Sequence, residues 1–228
     1  STFVPKQICP PGASLLKVRE NERMTPSDYE RDIRHFSVDI SNVDFPFDLG
    51  DAVAVYYQNI PEDVEKALQH FGIDGNRVLS VSCVSDNVSD RHRKAFQQRT
   101  SAKQILTEML DLFGRPTKSF CADLARFATI SKEQNELREF AKGGDACKVL
   151  ADNMVSFFDI CVKFPSAKPD LDHLMSIVPL TKPRLYSIAS SPFYAKDQLD
   201  LTIVINQWKT KNEEQRIITG ACTRYRSE

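Results

Sequence analysis

The sequence predicts a mixed β and α fold: an antiparallel β-barrel built from two separated pieces and interrupted by an all-helical insertion. Three observations predict it. Strand-type patterning is confined to residues 13–60 and 181–228. Residues 61–180 instead carry apolar stripes at helical spacing, separated by Gly and Pro stops. A connection of that length between strands is tolerated when it folds as a unit of its own. The expected division is therefore 13–60 for the first part of the barrel, 61–180 for the helical insertion and 181–228 for the second part.

The elements follow in order. Residues 13–24 (ASLLKVRENERM) read as a strand that turns polar at its end, and TPSDYER reads as a turn. Ile33 to Ile40 then alternates, with Ile33, His35, Ser37 and Asp39 on one face and Arg34, Phe36, Val38 and Ile40 on the other. Gly50-Asp51 turns into the apolar strand AVAVYYQN. At Pro61 the period changes. PEDVEKALQHFG has Pro and acids at its start, Val64, Ala67, Leu68 and Phe71 on one stripe, and Gly72 as its stop.

Residues 73–99 are mixed and polar around a short apolar piece, 78–84. SAKQILTEMLDLFG predicts a helix with Ile105, Leu106, Met109, Leu110 and Phe113 on its buried stripe. KSFCADLARFAT, KEQNELREFAKGG and DACKVLADNMVSFFDICVKF predict three more, and LDHLMSIV a short last one. Strand signals resume at Arg184, with DLTIVINQ as one strand and RIIT leading into Gly220.

Composition narrows the function classes. Hydrophobic residues are 41% and charged residues 27%, which is ordinary for a globular protein. A net charge of -1 offers no basic field for nucleic acid. No apolar run approaches the roughly 20 residues of a membrane span. The six cysteines form no C-x-x-C pair, and the four histidines have no ligand spacing, so neither a zinc site nor a disulfide scaffold is expected. Reduced thiols in an intracellular protein are. The first residues carry neither an initiator Met nor a signal-peptide pattern, so the chain reads as an excised piece whose native targeting lies outside it.

Two stretches carry chemistry. In Pro183-Arg184-Leu185-Tyr186-Ser187-Ile188-Ala189-Ser190-Ser191, a strand would put Arg184, Tyr186 and Ile188 on one face and Leu185, Ser187 and Ala189 on the other. A guanidinium fork matches phosphate oxygens, a phenol ring suits a flat ring system, and a hydroxyl can donate or accept one hydrogen bond. The second stretch is Thr219-Gly220-Ala221-Cys222-Thr223. A strand that ends on Gly and runs into a helix start presents backbone N–H groups to an anion. Arg184 and the 220–223 turn could hold two sides of one diphosphate, with Tyr186 and Ser187 addressing the ring. Trp208, the only tryptophan, ends the strand between them.

The order GDAVAVYYQN, helical insertion, DHLMSIVPLTKPRLYSIASS, LDLTIVINQW and GACT resembles the FAD-binding part of the diflavin reductases, from about residue 13 to the end. The R-x-Y-S-x-x-S element is that of the ferredoxin–NADP reductase superfamily. The insertion points to the diflavin branch, where it is called the connecting domain. The resemblance is nearest to the NADPH–cytochrome P450 reductase type, and the sulfite reductase flavoprotein, the reductase half of nitric oxide synthase and the reductase end of pyruvate:NADP oxidoreductase share this layout.

The resemblance implies a six-stranded FAD-binding barrel and a set of roles. Arg184 would contact the FAD diphosphate, within a cofactor-contacting element that also includes Leu185. Tyr186 would lie against the isoalloxazine. Ser187, the one catalytic candidate, would hydrogen-bond near the N5 that receives hydride. Thr202, Ile203 and Val204 would hold the flavin pyrimidine edge, Trp208 would contact FAD, and Gly220, Ala221, Cys222 and Thr223 would bind the diphosphate. Lys103 falls where the P450 reductases have an Arg reaching the cofactor, which keeps the charge and loses the fork.

In the intact protein, hydride would pass from NADPH to FAD, and electrons from FMN to a heme protein or other redox acceptor. The partners implied are an FMN-binding and an NADPH-binding domain, both outside this chain; no Gly-rich nucleotide fingerprint occurs in it. The implied location is the cytoplasm, or the endoplasmic reticulum through an upstream anchor. Two competing readings are a docking scaffold without cofactor and a thiol enzyme using Cys222. The latter has no His or acid beside it in sequence.

Overall fold

A computed structural model describes residues 8, 12–82, 99–211, 217–220 and 222. Most of its β material lies at both ends of the chain. β1 (Lys17–Arg23), β2 (Ile33–Asp39) and β7 (Gln198–Val204) form an antiparallel sheet in the order β1-β2-β7. β3 (Ala52–Val55) pairs antiparallel with β6 (Arg184–Ser187). An Ile188–Leu201 bridge joins this pair to the first sheet through β7. β4 (Val78–Ser80) pairs with β5 (Arg99–Ser101), so the 61–180 insertion is largely helical rather than all-helical as expected, and β8 (Gln207–Lys209) pairs with β9 (Ile217–Thr219). The fold is thus mixed α and β with antiparallel sheets. Among the described residues the strands do not close into a six-stranded barrel.

β2 is central to its sheet, and its alternation decides the sheet's two faces. Phe36, Val38 and Ile40 pack with Leu199, Leu201, Ile203 and Ile205 into one buried cluster. The opposite face carries cross-strand charges. Arg19 pairs with Asp39 at 3.0 Å, and His35 lies between Glu20 at 3.1 Å and Asp200 at 3.5 Å. Ser37, on that outer face, is nevertheless fully buried between the flanking strands.

The helical block has its own core, which includes Leu106, Leu112, Phe120, Leu137, Phe157 and Leu174. α1 (Pro61–Phe71) follows its sequence signature, closing on Gly72 at φ 64°, a conformation that favours glycine. α2 (Ala102–Gln104) is short and passes into a π-helical turn, Ile105–Met109. The expected helix through Phe113 therefore stops early: Leu110 is extended and bridges Leu180. α3 (Lys118–Leu124) and α4 (Ser131–Lys142) follow.

The stretch 145–164 forms two helices rather than one, α5 (Asp145–Asp152) and α6 (Phe157–Lys163). The reason is local. Ser156 and Asp159 form a reciprocal capping box that starts a new helix, and Met154 just before it takes φ 51°. α7 (Leu171–Ile177) leads back to the sheets. The expected single strand 200–207 is also broken after Val204, so that Trp208 sits on β8. Among the described residues, no helix is long and apolar enough to cross a membrane.

The helical block and the strands meet along one seam. Thr181 N–H donates to Met109 O (2.7 Å), and Asp111 N–H donates to Pro179 O (2.9 Å). Asn59, just before α1, donates its backbone N–H to Thr107 O (2.8 Å). Its side-chain amide donates to Leu106 O and Leu110 O, both at 2.7 Å. The insertion is therefore stitched to the segments immediately after β3 and before β6.

Candidate functional site

β6 is held from both sides, but unequally. Against β3 it runs in full register, from Ala52–Ser187 to Val55–Arg184. Against β7 the contact is the single Ile188–Leu201 bridge, with Ala189 N–H donating to Asp200 O (2.8 Å) and Asp200 N–H to Ser190 Oγ (3.0 Å). From Ser187 back to Arg184, β6 does not pair with β7 among the described residues. Arg184–Ser187 and Thr202–Val204 thus flank each other without a ladder between them.

The side chains of these two segments follow strand alternation. Tyr186 and Ile188 pack against the sheet core, while Leu185, Ser187 and Ala189 are exposed. Arg184, at the mouth of the strand, is exposed as well, so its guanidinium is accessible. On β7, Thr202 and Val204 are exposed, and Ile203 is buried in the core. Ile203 can therefore meet a ligand only through its backbone.

The second stretch comes to the first. The Tyr186 hydroxyl donates to Cys222 Sγ at 3.4 Å, across 36 residues of chain. Cys222 is buried, and Gly220 N–H donates to Asn206 O at 2.9 Å. The Gly220 amide is thus engaged at the base of the β8–β9 pair. Ala221 and Thr223 lie outside the described residues. Trp208 pairs with Ile218 and is 40% exposed, leaving its indole accessible beside the same corner.

Behind Arg184 lies a pair that sequence patterning missed. The buried Tyr57 donates from its hydroxyl to Asp111 Oδ1 at 3.3 Å. Burial, then the Asp111 charge, pushes the Tyr57 phenol well above its usual pKa, and the charge of Arg184 works against this. Burial also raises Asp111, against the Tyr57 hydrogen bond and the charges of Arg184 and Lys182. The strand supplies the cation, and the insertion supplies an acid near it.

Lys103 is not brought into this group. It forms an ion pair with Glu65 of α1 and lines a separate cavity of about 580 Å³ together with Leu68, Gly75 and Asn76. None of the other candidates lines that cavity. Among the described residues, no cluster of three or more His, Cys, Asp or Glu could hold a metal.

Comparison with known proteins decides the family. A model for the "FAD binding domain" family matches residues 11–225. The chain belongs to this family. Pyruvate dehydrogenase [NADP(+)] of Cryptosporidium parvum is 32% identical, over 96% of this chain and 12% of its own length. The probable sulfite reductase [NADPH] flavoprotein component of Schizosaccharomyces pombe is 32% identical, over 93% of this chain and 20% of its own. NADPH–cytochrome P450 reductase of Sus scrofa is 29% identical, over 92% and 31%. The chain thus spans less than a third of each of these relatives. The exposed guanidinium of Arg184 and the accessible indole of Trp208 are chemically suited to a dinucleotide carrying a flat ring and a diphosphate.

Proposed function

We propose that this chain holds FAD for an NADPH-dependent diflavin reductase. On this reading its barrel is six-stranded. The β1-β2-β7 and β3-β6 sheets supply five strands of its wall, over residues 13–60 and 181–228, and residues 61–180 form the connecting domain. The observation that carries the reading is the Tyr186–Cys222 contact, which joins the R-x-Y-S strand to the 220–223 corner.

The chain's residues then have separate tasks. Arg184 binds the diphosphate from the strand side, while Ala221, Cys222 and Thr223 offer backbone donors from the corner. Gly220 shapes that corner, since its own amide is taken by Asn206. Tyr186 lies against the ring, with Leu185 beside it. Ser187 presents its hydroxyl from the exposed face of β6, where it can stabilise the reacting edge of the flavin through one hydrogen bond. Thr202, Ile203 and Val204 satisfy the pyrimidine edge through the open backbone of β7, and Trp208 covers part of the cofactor. Lys103 has the weakest claim, because its ammonium is already paired with Glu65.

When bound, FAD supplies hydride acceptance and single-electron release; the protein supplies placement and electrostatics. NADPH-binding and FMN-binding domains of the parent chain and a heme or other redox protein are the partners this function requires. A cytoplasmic setting, free or tethered to the endoplasmic reticulum, fits the NADPH chemistry.

Titration with FAD tests the proposal. The chain turns yellow, and its melting temperature rises with cofactor concentration. At 100 times the dissociation constant the stabilisation is about 2.7 kcal/mol. No bound chromophore and no thermal shift at saturating FAD would refute it.

A further inference from the structure

Cys222 lies in a stretch whose backbone is suited to a diphosphate, but its side chain is engaged elsewhere. Its thiol is buried, at 5% exposure, and Sγ accepts a hydrogen bond from the Tyr186 hydroxyl at 3.4 Å. Tyr186 is itself only half-buried, so one side of its ring packs on the sheet core and the rest remains accessible. A phenol at the edge of a short strand has two side-chain torsions to fix. Packing of the ring against the sheet core limits the second, its rotation about its own long axis. A bond at the far tip of the ring limits the first, since the hydroxyl is the atom that travels furthest when the side chain swings.

We propose that Cys222 is a positioning residue for Tyr186. Its sulfur holds the phenol tip, so that the ring presents a fixed face to the flavin before the cofactor arrives. The inference rests on the FAD reading above and adds a task for the thiol side chain, distinct from the diphosphate contact made by the backbone of the same corner. Preorganising the seat removes an ordering cost from binding.

The test uses the full chain and FAD itself, with four variants: Cys222→Ala, Cys222→Ser, Tyr186→Phe and the double Cys222→Ala/Tyr186→Phe. Two quantities are read, the FAD dissociation constant and the visible circular dichroism of the bound flavin. The dichroism reports how an aromatic side chain is set against the flavin ring, and a merely structural role for Cys222 leaves it unmoved. Cys222→Ala and Tyr186→Phe should each weaken FAD binding by about five-fold, the scale of one modest hydrogen bond. Both should alter the flavin dichroism in the same way. The double variant should be no worse than either single one, because both remove the same bond. Cys222→Ser, whose oxygen still accepts from the phenol, should recover most of the affinity and the spectrum.

Binding by Cys222→Ala at wild-type strength with an unchanged spectrum overturns the proposal, as do fully additive losses in the double variant. If the wild-type chain binds no FAD at all, the flavin reading itself falls, and this inference with it.

Discussion

Asn59 is the residue on which the seam between the strands and the helical block depends most. Its side-chain amide donates two hydrogen bonds of 2.7 Å, to Leu106 O and Leu110 O, in a site where Leu106, Leu110 and Asn59 are all buried. The π-helical turn leaves the Leu106 carbonyl in need of a partner, because Asp111 N–H, five residues on, is drawn off to Pro179 O, and Leu110 is already extended beyond the turn. Asn59→Ala removes both donors and strands two buried acceptors. Each lost hydrogen bond costs about 1 kcal/mol, and leaving a buried partner unsatisfied raises that to about 1–3 kcal/mol. The expected loss is therefore about 3 kcal/mol, a large share of the roughly 5–15 kcal/mol typical of a folded domain. Asn59→Asp should lose more, since it turns an acceptor toward two acceptors. Urea unfolding followed by far-ultraviolet circular dichroism measures the effect, with Asn135→Ala, at an exposed position of α4, as the control. A loss for Asn59→Ala no larger than the control's would refute this account of the seam.

Three further predictions come from other parts of the molecule. A methyl group at Gly114 would overlap both carboxylate oxygens of Asp111, so Gly114→Ala should displace Asp111 from Tyr57 and cost about 1–3 kcal/mol in the same unfolding assay. His70 is held below its usual pKa, first by burial and then by the charge of Lys168. As pH falls below about 6.5 the unfolded chain takes up the proton first, so His70's contribution to stability is complete above that pH and declines toward the folded pKa. His70→Gln should flatten that part of a melting-temperature profile. Burial pushes the Cys121 thiol up to about 11 and the Cys161 thiol up to about 12. Both should resist alkylation at pH 8 in the folded chain and react once it is unfolded in urea, as peptide mass mapping would show.

Much of the fold is legible where the information is local. The period-two run at 33–40 marks the buried face of β2 through Phe36, Val38 and Ile40. Pro61 and Gly72 bound α1, because the signals for both ends lie in the helix itself. What patterning misreads depends on distant partners. The stripe from Ile105 to Phe113 suits a helix, yet the backbone widens into a π turn and stops at Met109, where Asn59 and Pro179 take its polar groups. The split at Met154 was readable in principle, since Ser156 and Asp159 stand three apart before an apolar run.

The candidate site divides in the same way. Arg184 to Ser187 stand together in sequence, so their types and their alternation could be read directly. The Tyr57–Asp111 pair could not, because its members lie 54 residues apart and neither carries a motif. Nor could sequence show that Gly220's amide is taken by Asn206, or that Lys103 faces Glu65.

The central claim is that Arg184 and the 220–223 corner grip one diphosphate. Its most direct test is FAD affinity for wild type, Arg184→Lys and Arg184→Ala, measured across a range of salt concentrations. A charged hydrogen bond to phosphate contributes about 1.5–3 kcal/mol, so Arg184→Ala should weaken binding by roughly ten- to a hundred-fold and flatten its salt dependence. Arg184→Lys should fall between, keeping the charge and losing the fork. Equal affinity in all three, with the same salt dependence, would contradict the account.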